Sequence, residues 1–197
     1  MHKEHPEAMS QLSNGHPYDV STNIFERLPQ VFFDEKPNDC NEYIRILGRI
    51  DNARIMKYVR RDYIREVENL DGYKVFMAKA NGTGAYGETL TPPIVGEPAV
   101  GNTESFISIG NFCTGSEASA LMKYISTKFV RALLGALKTT QDITPEKWKF
   151  VPQQDFSEAS DIDWSLSVED IDALLYKKYN LSDEEIRFIN EKVQAMG

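Results

Sequence analysis

Short runs in which apolar and polar side chains alternate begin at Val31 and recur as far as residue 110. VFF at 31–33, YIRILG at 43–48, ARIMKYV at 53–59, YKVFMAKA at 73–80 and SFISIG at 105–110 all predict strands. In the second and third, Ile44 and Ile46 alternate with Arg45, and Ile55 follows Arg54. One face is thereby turned to a core and the other to solvent or a ligand. GRIDN makes the turn between these two strands, and DYIREVENL at 62–70 predicts a short helix stopped by Asp71-Gly72.

The period then changes. Taking ~100° per residue, Ala118, Leu121, Met122, Ile125, Phe129, Ala132, Leu133 and Ala136 share one face of a single helix over 116–138. Lys123, Arg131 and Lys138 lie on the opposite side, so one face is buried and the other is basic. A solvated face accounts for such a stripe on its own. It gains meaning from its successor, KTTQDITPEKWKF, where Thr144 caps a short helix that has Pro145 at its first position. The tail from residue 153 carries two more helices. Ser167 introduces VEDIDALLYKKYN, which Asn180 ends, and SDEE at 182–185 has capping-box spacing ahead of IRFINEKVQAM. Residues 1–30 have little periodicity and read as a loosely packed lead-in. The fold class is therefore α/β: a mixed or antiparallel sheet at 31–152 packed with one long helix, plus a helical extension at 153–197.

Composition agrees with a folded chain. Of 197 residues, 41% are hydrophobic and 26% charged, which requires neither a disordered nor a fibrous reading. No stretch nears the ~18 to 20 consecutive apolar residues of a membrane span, and the first residues lack the apolar core of a secretory signal, so a cytoplasmic protein is expected. Cys40 and Cys113 lack zinc-site spacing and read as reduced thiols. The net charge of -8 argues against nucleic acid only as an average. Residues 151–197 hold 4 basic and 11 acidic side chains, whereas residues 41–65 hold seven basic against three acidic and residues 121–150 six against two. Two basic segments flank a Gly-rich middle.

That middle, NGTGAYGETLTPPIVGEPAVG at 81–101, carries five glycines and three prolines. A connection of this length in a folded domain signals a functional loop. Glycines admit close backbone approach, and Asn81, Thr83 and Tyr86 add hydrogen-bonding groups beside Lys79. Lys138, Thr139, Thr140, Gln141, Lys147 and Lys149, with Trp148, cluster after the long helix in a composition suited to phosphates and base edges. Arg131 joins them from the basic helix face. The lysines would anchor phosphates, and Asn81 and Gln141 can each pair in two-point fashion with adenine. A helix-terminus hydrogen bond is the competing role for Gln141.

Catalytic signatures are missing. The chain has no GxxxxGK[ST] phosphate loop, no GxGxxG and no GxSxG turn, and its histidines all precede residue 17. His2 and His5 lack the HExxH pattern of a zinc site. Thr91-Pro92-Pro93-Ile94 departs from the [DNS]PP[YF] methyl-transfer motif at both its polar acceptor and its stacking aromatic. Asp19, Asp34 and Lys36 give a loose version of a metal-dependent nuclease centre, which is one alternative reading. A protein-interaction module working through the acidic helices is another.

The ordered stretches YVRRDYI, YKVFMAKANGTG, GEPAVGNTESFISIGNF, SEASALMKYISTKFVRALLGALKTTQDITPEKWKFVPQQDF, DIDWS and LYKKYNLSDEEIRFINEKV resemble the C-terminal target-recognition region of bacterial type II restriction-modification adenine methyltransferases, including those fused to an endonuclease. HPYDVSTNIF resembles the linker that leads into that region from the methyltransferase core. The resemblance implies sequence-specific binding of double-stranded DNA, with no catalysis by this chain alone. The catalytic domain or subunit, with its S-adenosylmethionine pocket, would be a partner.

Overall fold

A computed structural model describes residues 1, 3–12, 20–137 and 140–196. The chain opens with two single-turn helices, α1 (Ala8–Gln11) and α2 (Ile24–Arg27). This lead-in is better packed than its weak periodicity suggests. Ile24, Phe25, Leu28 and Val31 are buried together with Ile44, Ile46 and Val59 of the strands that follow. Of the expected strand at 31–33, Phe33 alone pairs, exchanging both main-chain hydrogen bonds with Tyr58, while Val31 and Phe32 serve as core.

Strands β1 (Tyr43–Ile50) and β2 (Ala53–Arg60) pair antiparallel along their full lengths, from Tyr43 opposite Arg60 to Ile50 opposite Ala53. Asp51 and Asn52 between them have φ of 48° and 64°. Two consecutive left-handed residues of this type make the tight hairpin turn whose twist suits the strands, and Asp and Asn tolerate that conformation best among residues with a side chain. Residues 62–70 do not form the expected helix. A 3-10 turn at Arg61–Tyr63 gives way to irregular chain, held back by the Arg61 guanidinium, which pairs with Glu42, Glu66 and Asp71.

The remaining strands are β3 (Tyr73–Ala78), β4 (Ile94–Gly96), β5 (Val100–Asn102) and β6 (Phe106–Phe112). They make two sheets rather than one. The first is mixed, in the order β2-β1-β5 with β5 parallel to β1, and the second is antiparallel, in the order β4-β3-β6. The Gly-rich stretch thus contributes a strand to each sheet, and its long irregular part shortens to residues 81–93. β3 is covered on both faces. Val75 and Met77 meet the helices, whereas Phe76 joins Leu47, Val100 and Phe106 between the sheets.

The expected single helix at 116–138 is two helices, α3 (Gly115–Ser126) and α4 (Lys128–Leu137), separated by Thr127 in extended conformation. Thr114 and Glu117 form a capping box at the start of α3. At the break, the Thr127 hydroxyl donates to Tyr124 O and accepts from Val130 N. The Asp172 carboxylate accepts from the main-chain N–H groups of Lys128 and Phe129, at 2.9 and 2.8 Å, so the first N–H groups of α4 are satisfied from a distant segment. After α4, Pro145–Trp148 form a 3-10 turn that the Thr144 side chain does not cap.

The tail behaves as its caps predict. Helix α5 (Val168–Lys178) starts on Ser167 and gives way to a left-handed Asn180, and α6 (Asp183–Lys192) starts on the Ser182–Glu185 box. It packs against the elements before it. Ile162, Ile171, Leu175, Tyr176, Ile189 and Val193 belong to one buried cluster with Val75, Met77, Ile125 and Val130, so the packing runs continuously across residue 152. Among the described residues, no helix is long and apolar enough to cross a membrane.

Candidate nucleic-acid interface

Residues 79–84 and 140–143 lie far apart in sequence and side by side in the fold. Ala80 and Asp142 form an antiparallel bridge, with Asn81 N donating to Gln141 O at 2.9 Å and Ile143 N donating to Lys79 O at 2.8 Å. Gly84, with φ of 95°, passes so near the Thr140 main chain that a Cβ would stand 3.0 Å from its carbonyl carbon. Lys79, Thr83, Thr140 and Gln141 are all exposed along this junction. The structure therefore brings both predicted segments together. Lys138 and Thr139 lie outside the described residues.

The other predicted residues separate from this group for identifiable reasons. Asn81 is 2% exposed: its amide donates to Ala78 O, and its Oδ1 accepts from Thr91 N at 2.7 Å. It brackets the loop and presents no free amide edge. The Thr83 hydroxyl, Thr83 N and Gly84 N all donate to the carboxylate of Glu88, which sits in the concavity made by left-handed Gly82 and Gly84. Tyr86 turns toward α6, its ring 5.7 Å from that of Phe188, and burial pushes its hydroxyl pKa up. Lys147 donates to the terminal α4 carbonyl of Leu137 at 2.5 Å, a favourable place for a cation. Lys149 is exposed, with its ammonium 5.2 Å from the Phe150 ring.

The expected exposed basic face of the long helix is a correction. Arg131 is 3% exposed, donates through Nη2 to Gln194 O at 2.5 Å and through Nε to Ser126 O at 3.3 Å, and is pushed down in pKa by burial. Lys123 donates to three carbonyls, Trp164, Ser165 and Leu166 O. Both cations bind the tail instead of facing a ligand. The nuclease alternative named Asp19, Asp34 and Lys36. Asp34 pairs with Lys57 at 2.7 Å, and Asp19 lies outside the described residues. Among the described residues, no three His, Cys, Asp or Glu side chains gather as metal ligands. Cys40 and Cys113 are both free and exposed.

Two arginines beside the junction escaped the sequence reading. Arg49 and Arg54 stand directly opposite each other across the β1–β2 hairpin. Arg54 donates to Pro92 O at 2.5 Å, next to the Thr91 that holds Asn81, so the hairpin tip and the two loops form one connected rim. Burial and then the Arg49 charge lower the Arg54 pKa. The turn residues Asp51-Asn52 were the available signal, because a two-residue turn there fixes which arginines face each other. The chain matches no protein-family model, no curated protein and no solved structure with which it was compared.

Proposed function

We propose that this chain is a recognition domain for double-stranded DNA, serving an adenine methyltransferase whose catalytic domain or subunit binds S-adenosylmethionine. The observation that carries the reading is the junction of residues 79–84 with 140–143, which gathers Lys79, Thr83, Thr140 and Gln141 on one exposed rim. Lys79 supplies positive charge for phosphate, the Thr140 hydroxyl donates to phosphate or base edges, and the Gln141 amide reads adenine in the major groove, while Thr83 helps to hold the loop through Glu88. Asn81 and Arg131 take structural roles in this scheme. Gln141 is then the principal base reader, worth about 1–3 kcal/mol of discrimination if it pairs at two points.

A pool of random duplexes titrated with the full chain at several salt concentrations tests this. Binding is expected to weaken several-fold over a modest salt increase, as displaced phosphate counterions dictate. Gln141→Ala is expected to flatten the preference among duplexes while leaving the salt dependence in place. Undetectable binding, or binding indifferent to salt, overturns the reading.

A further inference from the structure

We propose that Arg49 and Arg54 form an oxyanion site at the tip of the β1–β2 hairpin, shaped for a phosphoryl group. Like charges placed directly opposite each other on paired strands repel. Here the turn at Asp51-Asn52 fixes Arg49 across from Arg54 in the ladder. The other cations of the hairpin are neutralised within the fold. Arg45 pairs with Glu97, Lys57 with Asp34, and Arg60 with Glu4 and Asp62. Among the described residues, no carboxylate forms an ion pair with Arg49 or Arg54, in a chain with thirty acidic side chains.

Their hydrogen bonding is also incomplete. Each guanidinium has five N–H donors in a planar fork. Arg49 gives one hydrogen bond to Asn52 O at 3.1 Å, and Arg54 gives one to Pro92 O at 2.5 Å. The Arg49 Nε is buried without a partner. Buried donors are normally satisfied, and two adjacent forks match a tetrahedral oxyanion, which accepts paired N–H bonds and cancels the repulsion between them. Both arginines are half-buried rather than enclosed. The phosphoryl group can come from a duplex backbone or from a free phosphate. Its assignment to DNA rests on the function proposed above, whereas the oxyanion site itself does not.

The full chain titrated with inorganic phosphate at constant ionic strength, with the arginine Nε–Hε signals followed by NMR, tests the site. A saturable shift of the Arg49 signal is expected, with affinity reduced tenfold or more in Arg54→Gln. Arg54→Lys keeps the charge but not the fork, so it is expected to bind with intermediate affinity and guards against a folding defect. No saturable response in the wild type, or an equal response in Arg54→Gln, overturns the proposal. A parallel titration with duplex DNA identifies the source. If Arg54→Gln weakens duplex binding and reduces the steepness of its salt dependence, the group is a backbone phosphate. If phosphate binding is lost while duplex binding is unchanged, the site serves a free phosphate and the DNA reading stands without it; if duplex binding is absent from the start, the DNA reading fails while the oxyanion site remains.

Discussion

Lys74 and Lys79 occupy the same apolar run and have opposite fates. Lys79 is exposed on the rim, whereas Lys74 is 1% exposed, its ammonium donating to Leu70 O and Val100 O and lying 5.9 Å from the Phe76 ring. Because β3 is covered on both faces, a polar residue at an alternate position meets the other sheet, through Val100 of β5, instead of water. Burial pushes the Lys74 pKa down to about 8, against the opposing pull of Asp71. An unfolded lysine keeps its proton to about pH 10.4. Below pH 8 both states are protonated and the cost of burying the charge is felt in full. As pH rises from 8 toward 10.4 the unfolded state holds more protons, so this residue's contribution to stability improves, by at most about 3 kcal/mol. Urea unfolding of wild type and Lys74→Met at pH 7, 8, 9 and 10 isolates the effect, since other groups cancel in the difference. The wild type is expected to gain on the variant with rising pH, and a constant difference sinks the argument. Alternation alone cannot distinguish Lys74 from Lys79, because it reveals faces but not what covers them.

At the scale of the element, the break at Thr127 depends on a residue remote in sequence. The apolar stripe runs through both α3 and α4, which is why periodicity reads them as one helix. What lets the chain turn there is the Asp172 carboxylate on the new N-terminal N–H groups, aided by the Thr127 hydroxyl. Asp172→Ala leaves the Phe129 N–H buried and unpaired, and is expected to cost about 2 kcal/mol. Asp172→Asn keeps one acceptor and is expected to cost less. Urea midpoints for the two variants check the order, and equal stability of Asp172→Ala and wild type would refute the capping role. Local caps, by contrast, were legible: Ser167 and the Ser182–Glu185 box start their helices where the sequence puts them. The hairpin and β6 were legible from alternation. Strands β4 and β5, at three residues each, are too short to show a period and are specified by their neighbours.

For the whole molecule, the decisive relation is between the acidic tail and the rest. Its sequence reads as an acidic helical appendage that packs on the domain or on a partner, while the candidate DNA set included Arg131 from a basic helix face. Packing ties the two together. Apart from the buried Asp172, the acids of the tail, such as Glu169, Asp170 and Glu184, face solvent, while its apolar residues complete the main core and its carbonyls take up Lys123 and Arg131. Six apolar tail residues, Ile162, Ile171, Leu175, Tyr176, Ile189 and Val193, are buried. At about 1.5–3 kcal/mol for each large apolar side chain, their burial is comparable to the ~5–15 kcal/mol that separates folded from unfolded domains. Residues 1–152 alone are therefore expected to lose the sharp thermal transition and the near-ultraviolet circular dichroism of the full chain, and to bind a hydrophobic dye. Adding a peptide of residues 153–197 is expected to restore order in part, since it returns both the apolar cover and the Asp172 cap. A fragment 1–152 that unfolds as cooperatively as the full chain would mean that the core closes without the tail, and it would return Lys123 and Arg131 to the surface as candidate ligands for DNA.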